Sequence, residues 1–261
     1  SMSEGTQYTL SARATDAAGN LSQVVTGDGI LIDLTPPYTG VVYDGIELQQ
    51  LSDEVFTGSD TSLFASWESF GDDVSGIAGY EVSVNDGSIY PWTAIGDVST
   101  KKLDGLYLTH GSTYSFDVRA LDNAGNTSVT ASSNGIKVDT QAPSSSVAIL
   151  SDYYNQVYWD QSTHIQGAAA DGTNESGLAS VEITIQNTSN GNYYNGNGWR
   201  TEATWLTPQG TDDWSFEFPS GELIDGHNYV VTSRATDAVG NTQAEYGQDS
   251  FIYDNSEPES S

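Results

Sequence analysis

The chain has 261 residues, with 36 Asp and Glu against 7 Lys and Arg and a net charge of −29. Such a field repels phosphate backbones and anionic lipid surfaces, so nucleic acid is excluded as a partner and membrane association is disfavoured. Cysteine is absent, which excludes disulfides, thiolate metal sites and cysteine nucleophiles, and no apolar run approaches the ~18–20 residues that span a bilayer.

From the N-terminus, Tyr8-Thr-Leu-Ser-Ala-Arg-Ala14 alternates like a strand, and Asp16 through Gly19-Asn20 supplies turn residues. Asp33 and Pro36-Pro37 follow. Ser62-Leu-Phe-Ala-Ser-Trp67 and Gly79-Tyr-Glu-Val-Ser-Val84 predict two further strands, with Asp72-Asp73-Val-Ser-Gly-Ile77 between them. Tyr114-Ser-Phe-Asp-Val-Arg-Ala120, Asp122, Gly125-Asn126, Asp139 and Pro143 then repeat the opening pattern at the same spacing. In the last third, Asp171-Gly-Thr-Asn-Glu175-Ser-Gly-Leu178 precedes the predicted strand Ala179–Ile185. A third copy closes the chain: Tyr229, Arg234-Ala235, Asp237, Gly240-Asn241, Asp254 and Pro258. No stretch sustains a 3.6-residue apolar period over three turns, so the fold class is all-β.

The three copies lie roughly 110 residues apart, the length of a β-sandwich rather than of a solenoid repeat. Gly19-Asn20, Gly125-Asn126 and Gly240-Asn241 sit between strand patterns where a tight hairpin needs φ > 0. Gly5, Gly111 and Gly226 each precede a repeat Tyr, which reads as a tyrosine corner. Each copy is therefore the last two strands of a sandwich, F and G, with the linker that follows. The predicted boundaries fall at the prolines: 1–36 as the C-terminal hairpin of a preceding sandwich, then domains over 37–142 and 143–261.

Residues 37–142 resemble fibronectin type III-like modules of large secreted bacterial proteins. Val42-Tyr43-Asp44-Gly45, Ala65-Ser66-Trp67, Ser75-Gly76-Ile77, Trp92 and Asp122-Asn-Ala-Gly-Asn126 carry that likeness. Residues 143–261 are similar to a related bacterial Ig-like module, through Ser176-Gly177-Leu178, Tyr193-Tyr194-Asn195-Gly196, Trp199, Trp205, Trp214 and Ala235-Thr-Asp-Ala-Val-Gly-Asn241. The resemblance implies tandem Ig-like and fibronectin type III-like sandwiches in an elongated array, outside the cell or on its surface. It implies stalks of adhesins, or spacers and accessory modules of secreted enzymes, with host-cell or surface glycans and proteins as partners beyond neighbouring modules. It specifies fold far better than activity.

No nucleophile elbow, zincin helix, P-loop or dinucleotide motif is present. His110, His164 and His227 fall at turns or strand openings, which suits surface histidines rather than a zinc site. The predicted function is non-catalytic. In an Ig-type sandwich the B–C and F–G loops share one end, the end at which the first strand enters. Asp33 is therefore expected near Asp72, Asp73 and Asp122, and Asp139 near Asp171, Glu175 and Asp237. Converging carboxylates repel unless a cation sits among them, and Ca²⁺ accepts 6–8 oxygens in flexible geometry. The competing reading is that these aspartates cap turns and stay solvated. Tyr193, Tyr194 and Trp199 form a second candidate, either a hairpin with exposed rings or a glycan-stacking site, while Trp205 and Trp214 are expected in the core. The leading expectation is a stalk or adhesive module with Ca²⁺ at its junctions; the alternative is a carbohydrate-binding or spacer module of a secreted polysaccharide-acting enzyme.

Overall fold

The computed structural model describes residues 2–45, 51–161 and 165–258; His164, expected to open a strand, lies outside them. In chain order the first elements are the short strands β1 (Gln7–Tyr8), β2 (Ser11–Ala12), β3 (Val25–Thr26) and β4 (Ile30–Leu31). Next come β5 (Val41–Gly45), β6 (Phe56–Thr57), β7 (Ser62–Glu68), β8 (Ile77–Val84), β9 (Tyr90–Gly96), β10 (Thr100–Asp104), β11 (Thr113–Tyr114), β12 (Phe116–Asp122), β13 (Ala131–Ser132) and β14 (Ile136–Val138). The remainder holds β15 (Ser144–Ile149), β16 (Tyr153–Tyr154), the single-turn helix α1 (Gln156–Trp159), β17 (Ile165–Ala170), β18 (Leu178–Asn187), β19 (Asn192–Tyr194), β20 (Trp199–Arg200), β21 (Asp213–Phe216), β22 (His227–Asp237) and β23 (Gly247–Tyr253). The described chain is nearly all β. It divides into two compact units, residues 1–55 with 59–137, and residues 56–58 with 138–261.

In the first unit one sheet runs β10–β7–β5 and the other β13–β12–β8–β9, all antiparallel. This is the E–B–A and G–F–C–C′ order of an Ig-type sandwich, so the loop between β7 and β8 is B–C and the turn after β12 is F–G. The core forms where inward residues of the two sheets meet: Leu63, Ala65 and Trp67 face Val82, Val84, Phe116, Val118 and Ala120, all buried. In the second unit the sheets are β15–β17–β21 and β16–β23–β22–β18–β19–β20. Its core is more aromatic, with Tyr229 stacked on Phe251 at 5.1 Å and Trp159 on Phe251 at 4.9 Å. Trp214 is buried there as expected. Trp205 is not. It lies half-buried outside a regular strand, beneath Arg234, whose guanidinium carbon is 4.0 Å from the ring centroid.

That contact explains the repeated Arg. Arg119 and Arg234 stand on the outward side of their F strands, each between a Trp and a Glu: Arg119 with Trp92 (4.3 Å) and Glu81, Arg234 with Trp205 and Glu182 (2.8 Å). The Tyr of each copy accepts a backbone N–H five residues upstream, Ser3 to Tyr8, Thr109 to Tyr114 and Ile224 to Tyr229, at 3.0, 2.9 and 2.8 Å. The glycine between them has positive φ in all three copies (Gly5, Gly111, Gly226).

The first copy has the hairpin but no covering sheet. β1 pairs with β4 and β2 with β3, yet Leu10 is 81% exposed, whereas its counterparts Phe116 and Val231 are 0% exposed. Burial therefore separates otherwise identical corners. Tyr229→Phe removes a buried hydroxyl that accepts a partly buried N–H and is expected to cost about 1–2 kcal/mol, while Tyr8→Phe in the solvated hairpin is expected to cost less than about 0.5 kcal/mol. Urea-unfolding midpoints of the two variants check this.

Candidate metal centre

The F–G turns are built by one carboxylate each. Asp122 Oδ1 accepts the N–H groups of Ala124 and Asn126 at 2.9 and 2.8 Å, and its Oδ2 accepts Asn126 Nδ2 at 2.8 Å. Asp237 does the same with Val239, Asn241 and Asn241 Nδ2, and Asp16 with Ala18, Asn20 and Asn20 Nδ2. Gly19, Gly125 and Gly240 take φ near +90°, the conformation that lets the turn fold around the acid. The Asn amide also reaches outward. Asn126 Nδ2 donates to the Asp33 carbonyl at 3.3 Å, and Asn241 Nδ2 to the Asp139 carbonyl at 3.0 Å. The chain entering each sandwich is thus tied to its F–G turn.

This places an entry Asp, a B–C loop Asp and an F–G Asp together twice. In the first unit Asp33, Asp72 and Asp122 each offer a carboxylate oxygen within 4.8 Å of the others; in the second, Asp139, Asp171 and Asp237 do the same. Entry and F–G acids are buried, and the B–C acids half-buried. Asp33 is only 7% exposed; its Oδ1 accepts Thr35 N–H at 3.0 Å, and its buried Oδ2 receives no hydrogen bond. In the second unit Asp171 Oδ1 is buried without a donor. The hydroxyls of Ser75 and Ser176, one on each B–C loop, are likewise buried and unpaired. Orphaned acceptors beside like charges are costly to leave dry, so this donor set of carboxylate and hydroxyl oxygens fits a hard cation.

The two loops treat their acid differently. Burial pushes the Asp72 carboxyl up, but N–H groups of Gly76, Ser75 and Val74 on Oδ1 together hold it below the usual carboxylate range. Burial, the adjoining Glu175 carboxyl and the charge of Asp139 raise Asp171, against the N–H groups of Gly177, on Oδ2, and of Gly172. Glu175 therefore stands beside its cluster, while Asp73 is exposed and outside the first one.

The aromatic candidates lie elsewhere. Tyr194 is buried in the core, its hydroxyl donating to Gly196 O at 3.0 Å. Trp199 packs on Tyr194 and Tyr229 and donates its indole N–H to Glu222 O, and Tyr193 is half-buried on β19. The hairpin turns Tyr194 into the core, while Tyr193 and Trp199 stay half-buried. His227, the first residue of β22, bonds Asn187.

One acid carried no functional signal in the sequence. Asp44 on β5 is fully buried, with Oδ2 accepting Gly135 N–H at 2.8 Å. Burial, with the nearby charge of Asp53 adding to it, pushes its carboxyl up to about 6.

No family model matches the chain. Chitinase A1 of Niallia circulans is 31% identical over 157 residues, 60% of this chain and 21% of the chitinase. Exoglucanase B of Cellulomonas fimi is 31% identical over 163 residues, 61% of this chain and 14% of that protein. The chain thus spans about a fifth or less of the curated relatives it matches. Among solved structures, a Ca²⁺-stabilized adhesin of an ice-binding Antarctic bacterium aligns with TM-score 0.42 and 19% identity, over 95% of this chain and 57% of that one. Fibronectin(III)-like modules of Clostridium thermocellum CbhA align with TM-score 0.40 and 12% identity, over 82% and 95%. The sheet order within each unit is itself that of an Ig-like or fibronectin type III-like sandwich. No described helix is long and apolar enough to cross a membrane.

The Asp44 carboxyl gives a pH test. A carboxyl raised in the folded state binds more protons folded than unfolded, so its contribution favours folding at low pH and is lost as pH rises from about 4 to about 6. The loss is at most about 3 kcal/mol. Asp44→Asn is expected to flatten the pH dependence of stability in that window, measured by urea midpoints from pH 4 to 7.

Proposed function

We propose that the chain is a non-catalytic extracellular segment of a bacterial surface or adhesion protein, serving as a stalk or adhesive module stiffened by Ca²⁺. The carrying observation is the twice-built carboxylate cluster with an orphaned buried oxygen in each copy. Three carboxylates within 4.8 Å repel one another, by about 1–4 kcal/mol per close pair between the water and near-surface limits. A bound divalent cation supplies the opposing charge and accepts several oxygens at once. Asp33 and Asp139 lie on the chain entering a sandwich, and their partners lie on its B–C and F–G loops. Holding all three acids together restricts bending of the entering segment, the property a spacer needs. A net charge of −29 suits a screened, salty exterior.

In the same reading, residues 1–36 are the F–G hairpin of another sandwich. Leu10 and Ile30 are exposed where their counterparts Phe116, Val231, Ile136 and Phe251 are buried, and a lone hairpin is marginal in water.

The 31% identical stretches within a chitinase and an exoglucanase favour a second reading, a spacer or carbohydrate-binding module of a secreted polysaccharide-acting enzyme. Retention of this chain on chitin or cellulose would support it; flow-through favours the stalk.

For the leading reading, millimolar CaCl2 is expected to raise the Tm by about 5 °C or more, reversibly with chelator. Mg²⁺ is expected to do less, since it demands octahedral geometry and sheds water reluctantly. An Asp33→Asn, Asp139→Asn double variant keeps hydrogen-bond acceptors and is expected to lose the rise. Equal melting curves with Ca²⁺ and chelator would overturn the reading.

A further inference from the structure

Resting on the cation reading above, we propose that the two clusters are unequal: the Asp139–Asp171–Asp237 site binds Ca²⁺ more tightly and fills first, and Glu175 makes the difference.

The B–C loops set this inequality. From its Asp to the Gly before the next strand, the first loop reads Asp72-Asp-Val-Ser-Gly76 and the second Asp171-Gly-Thr-Asn-Glu-Ser-Gly177. The short loop wraps its own acid: Val74, Ser75 and Gly76 all donate to Asp72 Oδ1 at 2.8–3.1 Å. The longer loop cannot. Its Ser176 N–H turns to Asp139 Oδ2 at 2.7 Å, and Gly177 N–H donates to Asp171 Oδ2 at 2.7 Å, leaving Oδ1 buried without a donor. The first site therefore has a loop acid with three N–H groups on one oxygen, while the loop acid of the second keeps one buried oxygen without a donor.

The two extra residues also bring a fourth carboxylate beside the cluster. Glu175 Oε2 accepts Gly172 N–H at 2.7 Å, and a Cβ on Gly172 would lie 2.1 Å from Glu175 Oε1. Glu175 is thus seated in a place that only a glycine at 172 leaves open, with its carboxyl against Asp171. The acid of the first loop that sequence offers as an equivalent, Asp73, is exposed and outside its cluster. Three carboxylates face each cation site, and at the second a fourth, Glu175, stands beside the cluster against Asp171. Oxygen-ligand sites for Ca²⁺ tighten with the number of charges around them, so the added carboxylate beside Asp171 favours the second site. A chain built this way stiffens in steps as Ca²⁺ rises.

Isothermal titration of the whole chain with CaCl2, after chelator treatment, tests this. The expected isotherm has two classes of one site each, the tighter by about tenfold or more. Glu175→Gln is expected to weaken the tight class toward the other and leave the weaker one unchanged. Asp33→Asn is expected to remove the weaker class alone, and far-UV circular dichroism of both variants verifies that the sheets persist. Two equivalent sites, or a tight class that ignores Glu175→Gln, would overturn the inequality while leaving the cation reading intact. An absence of binding in wild type would overturn both.

Discussion

One side-chain constraint recurs through the chain: an aspartate at the tip of each F–G hairpin folds the turn around its own carboxylate. Asp16, Asp122 and Asp237 each take two backbone N–H groups on one oxygen and an Asn amide on the other. In the two complete sandwiches the same amide holds the carbonyl of the entering chain, at Asp33 and at Asp139. The turn, the register of strands F and G and the path of the entry segment therefore depend on one group. That group is also an anion. Placing it at the end where the B–C loop and the entering chain meet collects negative charge that hydrogen bonds alone leave partly unsatisfied, as the bare oxygens of Asp33 and Asp171 show.

The sheets serve this end. Strand F lies beside strand C in both units, and its outward Arg is clamped between a Glu on C and a Trp, which leaves its inward residues to the core. Tyr114 and Tyr229 lock the opposite end of the same strand by accepting an upstream N–H. A strand fixed at both ends presents its terminal aspartate in a constant position. The B–C loop is where the units diverge, and there the number of N–H groups on the loop acid, and the presence or absence of Glu175, changes the electrostatics without changing the sandwich.

Much of this was legible because it is written in repeated residues. The hairpin turns, the tyrosine corners and the all-β class follow from spacing and turn chemistry, and strand order placed the entry, B–C and F–G acids at one end. What spacing could not separate was which of several neighbouring acids turns inward. Asp72 and Asp73 are adjacent, and only the wrapping of three N–H groups around Asp72 distinguishes them. Asp44 looked like any strand-end acid, and its burial depends on a contact to Gly135 far away in sequence. The aromatic residues were ambiguous for the same reason. Tyr194 and Trp199 are drawn into the core by Phe218 and Tyr229, from segments with no periodic relation to their hairpin, and Trp205 is kept out of it by Arg234.

The central claim, that these paired acid clusters are cation sites, is tested most directly by crystals grown with CaCl2 and measured for anomalous scattering. The account predicts one peak among Asp33, Asp72 and Asp122 and another among Asp139, Asp171 and Asp237, each ringed by 6–8 oxygens at about 2.3–2.6 Å. Clusters lacking anomalous density at millimolar Ca²⁺, with water on the bare oxygens of Asp33 and Asp171, would contradict it.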